Sequence, residues 1–362
     1  MIFILDALVA DLESLPVSQV ENLFSALMDA DRSGRHLVVI DRSICSWAIK
    51  SVSLSGENSK HLAGLREQFA TRGNITEYAH SFLKVVLGSL PVTINGDHFE
   101  IGHVEFTSGE YATSKTKMIV ENLNTDSRLY DFMLGVAISQ TVVPGFAVDF
   151  VLGGGDTTVT AFEAEVKKQR IAVCVVDTDR VSPCDNLGET ARKVINSHAK
   201  RNLDTTHAAP AYVGTVLETV GHELENYIPF SAVNLIGVFT HDTCLDAIVT
   251  QNSAVDAADC FWRYFDTKGG IDGKKIGSKV AAGKKPPSVV DWICKETGIS
   301  VGDFVSLRIS GIGSTVADHF LKNAAAKSHY VEFSKSEYWK ALFLRHFEQV
   351  LWFLAAPEIR RS

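Results

Sequence analysis

Residues 171–179 read IAVCVVDTD, an uninterrupted apolar run that ends in two aspartates separated by one residue. An apolar run of this length followed by acids predicts a β-strand buried on both faces, as strands of parallel sheets are. Side chains two positions apart in extended backbone point the same way, so Asp177 and Asp179 should face a common space. The stretch therefore predicts an α/β fold with a pair of carboxylates at the end of a central strand.

Strands and helices alternate around this run. Apolar or amphipathic periodicity predicts strands over 118–120, 146–152 and 233–239, and helices over 127–136 and 160–169. A βαβαβ order of this kind is typical of a parallel sheet flanked by helices. Ligand sites in such sheets lie beyond the carboxyl ends of the strands, which is where four acids fall: Glu121, Asp156, Asp177 and Asp179.

The first hundred residues predict a second α/β unit. Apolar strands over 2–5 and 37–40 enclose a helix over 18–30, followed by a helix over 60–88 and a β-hairpin over 92–106 around Asn95-Gly96. The small, polar stretch after Phe106 marks a boundary. We therefore expect an N-terminal α/β domain over 1–112, regulatory or oligomeric in role, and a catalytic domain with a helical C-terminal extension over 113–362.

The acids at the strand ends predict a divalent-cation site. Two carboxylates about 4 Å apart repel by roughly 4 kcal/mol at an effective dielectric constant near 20, and a bound cation removes this repulsion. Carboxylate oxygens suit Mg²⁺ or Mn²⁺, which polarise phosphoryl oxygens and activate water. The alternative is that each acid only caps the helix that follows its strand.

The order of these motifs resembles a Toprim domain, the fold of topoisomerases, primases and OLD-type nucleases. Glu121 follows one apolar strand, the glycines 153–155 follow the next, and Asp177-Thr178-Asp179 follow a third. The segment GHELENY over 221–227 is similar to the (R)EIENY segment of OLD-like nucleases and of Toprim effectors in phage-defence systems. The resemblance covers about residues 115–240, a third of the chain.

The resemblance implies a Toprim-like fold and a metal-dependent endonuclease that uses two Mg²⁺ or Mn²⁺ ions to cleave DNA or RNA. It implies that Glu121 is a metal ligand and the general base, that Asp177 and Asp179 bind metal, and that Glu223 or Glu225 completes a second metal site, with Glu225 also catalytic.

The first motif departs from the family pattern. Asn122 replaces the glycine that usually follows the glutamate, and Asp126 stands five residues after Glu121, where the family has an acid four residues on. Asp126 is therefore either a metal ligand or the N-cap of a helix that begins at Ser127.

The chain contains no G-x-x-x-x-G-K-[ST] motif, so hydrolysis of ATP by that route is not expected. The resemblance then implies a stand-alone effector of antiviral defence, controlled by a separate ATPase or sensor subunit.

A basic stretch follows the acidic motifs. Between residues 268 and 285 six lysines meet a single acid, Asp272, among glycines. A flexible loop of this composition suits contacts with nucleic-acid phosphates, although lysine-rich loops are also ordinary surface. The candidate nucleic-acid-binding residues are Lys274, Lys275, Lys279, Lys284 and Lys285. One lysine of the stretch would supply the basic group that OLD-type sites hold near the scissile phosphate.

Composition narrows the class of protein. The chain has 362 residues, a formal net charge of -8 and 46% hydrophobic residues; these values are typical of a globular protein and argue against coating nucleic acid through bulk positive charge. Six cysteines lie far apart without zinc spacing, which favours a reducing, cytoplasmic compartment. No stretch predicts a membrane span. The helix predicted over 337–354 carries an apolar stripe for core packing or for a homo-oligomer or partner surface.

Two other functions remain open. Residues 175–181, VVDTDRV, fit the nucleophile motif of phosphatases of the haloacid-dehalogenase type, in which Asp177 would be phosphorylated. A Toprim-like domain with an altered first motif could instead be a non-catalytic sensor or scaffold.

Overall fold

The computed structural model describes residues 1–203, 211–237, 245, 248 and 261–357. Within these residues the chain forms a five-stranded sheet, a four-stranded sheet and a small two-stranded sheet, with helices packed around them. The four-stranded sheet is parallel throughout and the five-stranded sheet is parallel except at one edge. The predicted α/β class is confirmed.

The five-stranded sheet comes from the first hundred residues. Its strands are β1 (Ile2–Asp6), β2 (Leu37–Ile40), β3 (Phe82–Val86), β4 (Thr93–Asn95) and β5 (His98–Gly102), in the order β2-β1-β3-β5-β4. The β4-β5 pair is the predicted hairpin. The helices of this region are α1 (Val9–Glu13), α2 (Val17–Arg32), α3 (Arg42–Ser51), α4 (Gly56–Thr76) and α5 (His103–Ser108).

The helix predicted over 60–88 is wrong in its second half. Helix α4 ends at Thr76, and β3 follows it as a central strand of the sheet. Burial alternates along β3, and Lys84 lies in the middle of the strand, with its ammonium group 3.3 Å from Oδ2 of Asp6. The lysine interrupts the apolar run that would have identified a strand.

The four-stranded sheet lies in the middle of the sequence. Its strands are β6 (Thr116–Val120), β7 (Val148–Leu152), β8 (Ala172–Val176) and β9 (Gly214–Glu218), in the order β7-β6-β8-β9. The helices between them are α6 (Asp126–Ala137), α7 (Thr158–Lys167) and α8 (Glu189–His198). Because all neighbouring strands are parallel, their carboxyl ends lie along one edge of the sheet.

Strand β8 is buried along its whole length, as its apolar composition predicts. On one face Cys174 packs in a cluster with Phe162 of α7 and Val194 of α8. On the other face Val173 and Val175 belong to the main core of the protein. Burial on both faces fixes the end of β8, and therefore the position where the two aspartates emerge.

The prediction of a strand over 233–239 is wrong for residues 233–237, the part that the structure describes. Residues Phe230–Ile236 form helix α9, which begins behind Pro229 and ends at Gly237. Gly237 has a φ of +68°, and a glycine in this left-handed conformation is a common helix end. The fourth strand of the sheet is instead β9, most of which is only partly buried, so its apolar signal is weak.

The remainder of the described chain is mainly helical. Strands β10 (Ile271–Asp272) and β11 (Arg308–Ile309) pair antiparallel. The helices are α10 (Gly273–Ala281), α11 (Ser288–Thr297), α12 (Val316–Lys322), α13 (Ala324–Phe333), α14 (Glu337–Trp339) and α15 (Arg345–Leu354). A π-helical turn over Lys340–Leu344 joins the last two, so the helix predicted over 337–354 is confirmed. Its apolar stripe is buried in the chain's own core: Trp339, Phe343, Phe347, Leu351 and Leu354.

None of the described helices combines the length and the apolar character that a membrane crossing requires.

The last described residues connect the two large sheets. The hydroxyl of Thr116 in β6 donates to the carbonyl oxygen of Phe353 at 2.7 Å. The amino group of Met1, next to β1, donates to the carbonyl oxygen of Ala355 at 2.6 Å. Buried side chains around both sheets belong to one continuous core. The division of the chain at residue 112 therefore stays a prediction.

Candidate active site

Glu121 and Asp177 meet at the carboxyl edge of the four-stranded sheet. Glu121 follows β6 and Asp177 follows β8, and these two strands are neighbours. Enclosure by the protein, and then the charge of Asp179, raise the pKa of Glu121 above its ordinary value. The backbone N–H of Asp177 faces the Glu121 carboxylate and opposes the rise in its pKa. Glu121 and the two aspartates therefore share one small region of the sheet edge.

Asp177 also contacts the segment that follows β9. Its Oδ1 accepts a hydrogen bond from the backbone N–H of Leu224 at 3.1 Å. Enclosure raises the pKa of Asp177 well above its ordinary value, and the charges of Glu121 and Glu225 raise it further. An ionised carboxylate in this position is unfavourable unless a positive charge lies near it.

Asp179 lies at the exposed rim of this region in a left-handed backbone conformation, with a φ of +54°. Its N–H donates to the carbonyl oxygen of His222 at 3.0 Å. Its carboxylate rests against Gly188, where an added Cβ would overlap with it. Enclosure raises the pKa of Asp179, although the nearby His222 opposes this. Glycine at position 188 is therefore required for the observed position of the carboxylate.

Lys268 lies between two buried glutamates. Its Nζ is 2.6 Å from Oε2 of Glu223 and 3.3 Å from Oε1 of Glu225. The side chains of Glu223 and Glu225 are 6% and 5% exposed, respectively. Glu223 also accepts hydrogen bonds from the N–H and the hydroxyl of Thr267. The ammonium group provides the positive charge that burial of these carboxylates requires.

The protonation states of this group of residues are coupled. Burial, and then the charge of Glu223, raise the pKa of Glu225 to about 7, although Lys268 opposes the shift. Burial alone would lower the pKa of Lys268, but Glu225 and Glu223 raise it above its ordinary value. At physiological pH Lys268 is therefore charged, whereas Glu225 can bind or release a proton.

Asp126 lies in the same region and does not act as the helix cap that the sequence allowed. Helix α6 begins at Asp126 itself, and the cap position is Thr125, whose side chain makes no capping bond. The Asp126 carboxylate instead accepts from the backbone N–H of Asn122 at 2.8 Å. Enclosure raises the pKa of Asp126, while the hydrogen bond from Asn122 and the charge of Lys268 oppose the shift.

Asp156 stands apart from these residues although it follows β7 at the same edge. Its side chain is 82% exposed, and its carboxylate is 3.2 Å from Nζ of Lys193. We define the acidic cluster as six carboxylates that interact through their charges: Glu121, Asp126, Asp177, Asp179, Glu223 and Glu225. The charge of Asp266 also acts on Asp179.

The acidic cluster has the donor chemistry of a divalent-cation site, because carboxylate oxygens are the ligands that Mg²⁺ and Mn²⁺ prefer. In the described part of the chain, however, no three acid, histidine or cysteine side chains converge closely enough to hold an ion. The residues therefore supply oxygen ligands, and binding requires the carboxylates to move closer together. Glu223 would also have to give up its bonds to Thr267 and Lys268.

We expect Glu225 to make the stability of the metal-free protein depend on pH. Its pKa is about 7 in the fold and 4.5 ordinarily, so between these values only the unfolded chain ionises, and stability is lost as the pH rises. Urea unfolding in chelator, at pH 5 and pH 7.5, measures the loss. The variant Glu225→Gln should lose less stability between pH 5 and pH 7.5. Carboxylates that do not interact with Glu225 contribute equally to both proteins, so the difference reports Glu225 and its neighbours. Equal losses in both proteins would contradict the assigned pKa shift.

A cleft of about 520 Å³ opens beside the acidic cluster. Asp179 and His222 line one side of it, and Lys275 and Lys279 of helix α10 line another. Enclosure lowers the pKa of Lys279, and the positive charges of Lys285 and Lys275 lower it further. The lining also includes four acids besides Asp179, namely Asp185, Glu189, Asp266 and Asp272, so positive and negative side chains are mixed along the cleft. The lysines suit contacts with a phosphodiester backbone.

The basic stretch is not the loop that the sequence predicted, since its middle is helix α10. Lys284 and Lys285 also line the cleft, and Lys285 forms an ion pair with the buried carboxylate of Asp185. Lys274 does not line this cleft itself but borders an adjoining depression, which shares Lys275, Lys279 and Lys284 with the cleft. All five candidate nucleic-acid-binding lysines therefore lie in the cleft or next to it.

Two residues of the site, Lys268 and His222, are not predicted from the sequence. Lys268 was one of six lysines, and nothing in its spacing distinguished it from the others. His222 directly precedes Glu223, and its Nδ1 is 2.9 Å from the carbonyl oxygen of Arg180, which fixes the ring beside the cleft. The position of His222 directly before the E-x-E-N-Y segment was the sequence feature that could have identified it as a site residue.

Comparison of the chain with protein-family models, with curated proteins and with solved structures found no match in any of the three.

Proposed function

We propose that the chain is a metal-dependent nuclease with a Toprim-like catalytic domain that cleaves phosphodiester bonds of DNA or RNA. The observation that carries this proposal is the meeting of Glu121, Asp177 and Asp179 at the carboxyl edge of a parallel sheet. The cleft beside them is lined by lysines and by acids, and its lysines would contact substrate phosphates.

The acidic cluster would hold two Mg²⁺ or Mn²⁺ ions. Glu121, Asp177 and Asp179 would bind the first, and Asp126 with Glu225 or Glu223 the second. When bound, these ions neutralise the cluster and lower the pKa of a bound water.

The residues of the chain itself supply proton transfer and binding. Glu121, with its raised pKa, suits a group that takes a proton from the attacking water. Lys268 remains charged beside the cluster, and in this proposal it would contact the phosphate that is cleaved. Lys275 and Lys279 would hold the adjacent backbone phosphates in the cleft.

The proposal extends to partners, as the resemblance implies. The sequence has no phosphate-binding loop of the G-x-x-x-x-G-K-[ST] type, so a separate ATPase or sensor subunit would control cleavage. We propose a cytoplasmic effector of antiviral defence that acts as a homo-oligomer.

A second candidate is a non-catalytic sensor that binds nucleic acid or metal without turnover. One observation favours it: Asn122 stands where the family has glycine.

The test is incubation of the full chain with plasmid, linear DNA and total RNA in Mg²⁺ and in Mn²⁺, with chelator as the blank. Metal-dependent cleavage of one polymer supports the nuclease. Metal binding in calorimetry without cleavage supports the sensor. Hydrolysis of p-nitrophenyl phosphate without cleavage of any polymer supports the phosphatase in which Asp177 is the nucleophile.

We expect the double variant Lys275→Ala/Lys279→Ala to weaken nucleic-acid binding and its dependence on salt. Each lost phosphate contact should reduce the slope of log K against log salt concentration by about 0.7 to 0.9. Fluorescence anisotropy in chelator, at salt concentrations from about 50 to about 300 mM, measures this slope. Lys295→Ala is the control, because Lys295 lies on α11, is 80% exposed and does not line the cleft, and it should leave the slope unchanged. Equal effects from both variants would mean that the cleft is not the binding surface.

A further inference from the structure

A second large cleft, of about 660 Å³, lies far from the acidic cluster in sequence. Its floor and one wall come from the end of α2, the start of β2 and helix α4. Pro144, which precedes β7, and Pro357, which follows α15, close the other side. The cleft therefore lies where the N-terminal sheet region meets the remainder of the chain, a common location for small-molecule sites.

A buried carboxylate organises the wall of this cleft. Asp31 has a side chain with 0% exposure, and it accepts hydrogen bonds from Nε2 of His61 and Nη1 of Arg72 at 2.8 and 2.5 Å. The backbone N–H of Val38 donates to it at 2.8 Å. Burial opposes ionisation of Asp31, but these partners lower its pKa below the ordinary value. The carboxylate thus fixes the orientation of two nitrogen-rich side chains that line the cleft.

Arg72 keeps a donor for a ligand, and His61 keeps one in its imidazolium form, because its Nε2 hydrogen is donated to Asp31. Arg72 uses Nη1 for Asp31 and for the carbonyl oxygen of Val38, and Nε for Gln68. Among the described residues no hydrogen bond occupies its Nη2 or the Nδ1 of His61. Their side chains are 12% and 26% exposed, so both groups remain accessible from the cleft. An arginine fork held by a buried carboxylate is a preferred partner of phosphate oxygens.

We propose that this cleft binds a phosphoryl-bearing small molecule of mononucleotide size. Arg72, His61 and the hydroxyl of Thr71 would contact the phosphoryl group. Leu37, Ile75 and the two prolines supply the apolar surface that a base or another ring requires. The volume is within the range of about 300–1,000 Å³ that is usual for small-molecule sites. This site is independent of the proposed nuclease function.

The test is calorimetric titration of the full chain, in chelator, with inorganic phosphate, the four nucleoside 5′-monophosphates and the matching nucleosides. We expect at least one monophosphate to bind and its nucleoside to bind about tenfold more weakly or not at all, a difference of about 1.4 kcal/mol or more. The variant Thr71→Glu places a negative charge at the cleft without removing a partner of Asp31. It should weaken binding of the monophosphate about tenfold or more.

Ala70→Glu adds the same charge to an exposed neighbouring position of α4 that does not line the cleft, and it should bind like the parent. Three results would overturn the proposal: no binding of any monophosphate at millimolar concentration, equal binding by Thr71→Glu and the parent, or loss of binding in Lys275→Ala/Lys279→Ala instead. The last result would place the phosphate in the lysine-lined cleft beside the acidic cluster.

Discussion

Replacing Glu121 with glutamine, or Asp177 with asparagine, is expected to abolish cleavage of nucleic acid while the fold persists and becomes more stable without metal. Each change removes one negative charge from a group of acids whose enclosure and mutual repulsion raise the pKa of both residues. The amide keeps the shape of the side chain, but it is neutral. It therefore cannot bind a metal ion through a negative charge or accept a proton as a base. Loss of a general base alone lowers the rate by about 10²–10⁴-fold.

The measurements are cleavage in Mg²⁺ or Mn²⁺ and thermal unfolding in chelator at pH 7.5. Asp156→Asn is the matched control, because Asp156 follows a strand at the same edge but is exposed and paired with Lys193. It should cleave and unfold like the parent. If Glu121→Gln and Asp177→Asn cleave as fast as the parent, neither residue belongs to a catalytic site. If both are less stable than the parent in chelator, the proposed repulsion does not exist.

Strands β2 and β8, which the sequence predicts correctly, are buried at every position, and β8 is apolar throughout because both of its faces are covered. Strand β7 is also predicted correctly, although none of its positions is fully buried. In β3 and β9 polar residues interrupt the apolar run, so neither was predicted as a strand. A short apolar run can also be a helix, as in α9, and only flanking residues such as Pro229 distinguish the two.

Some residues of the candidate site could be predicted from the sequence and others could not. Glu121, Asp177 and Asp179 could be predicted because they directly follow strands, and parallel strands bring their carboxyl ends to one edge. Lys268 could not be predicted, since it pairs with Glu223 across 45 positions of the chain and belongs to no strand end. Such a contact depends on how the C-terminal helices pack against the sheet, which no local pattern specifies.

The six carboxylates of the acidic cluster differ in how deeply they are buried. This difference sets the order in which a substrate would meet them. Glu223 and Glu225 are buried beneath Lys268, Glu121 and Asp177 are partly exposed, and Asp179 lies at the rim of the lysine-lined cleft. A phosphate entering from that cleft would meet the lysines and the acids of its lining, and then the buried carboxylates. Repulsion between the phosphate and the acids must then be relieved by cations, which is why metal and substrate binding should depend on each other.

Replacing Lys268 with methionine is expected to remove cleavage and to destabilise the metal-free protein by about 1–3 kcal/mol, the cost of leaving buried acceptors without a partner. The lower part of this range is expected because half of the lysine side chain is open to water, whereas the two glutamates are buried. Urea unfolding in chelator at pH 7.5 measures the loss, and Lys274→Met is the exposed control on the same stretch. Methionine preserves most of the length of the side chain, so the loss reports the charge.

The ion pair itself is tested by adding Glu225→Gln to Lys268→Met. Since Glu225 is one of the two carboxylates that the ammonium group contacts, its neutral form needs no cation, and the double variant should regain part of the lost stability. Millimolar Mg²⁺ should likewise restore stability to Lys268→Met more than to the parent, because the ion replaces the missing charge. If the two substitutions add without coupling and Mg²⁺ stabilises both proteins equally, Lys268 does not neutralise the cluster, and its position beside the carboxylates has no electrostatic role.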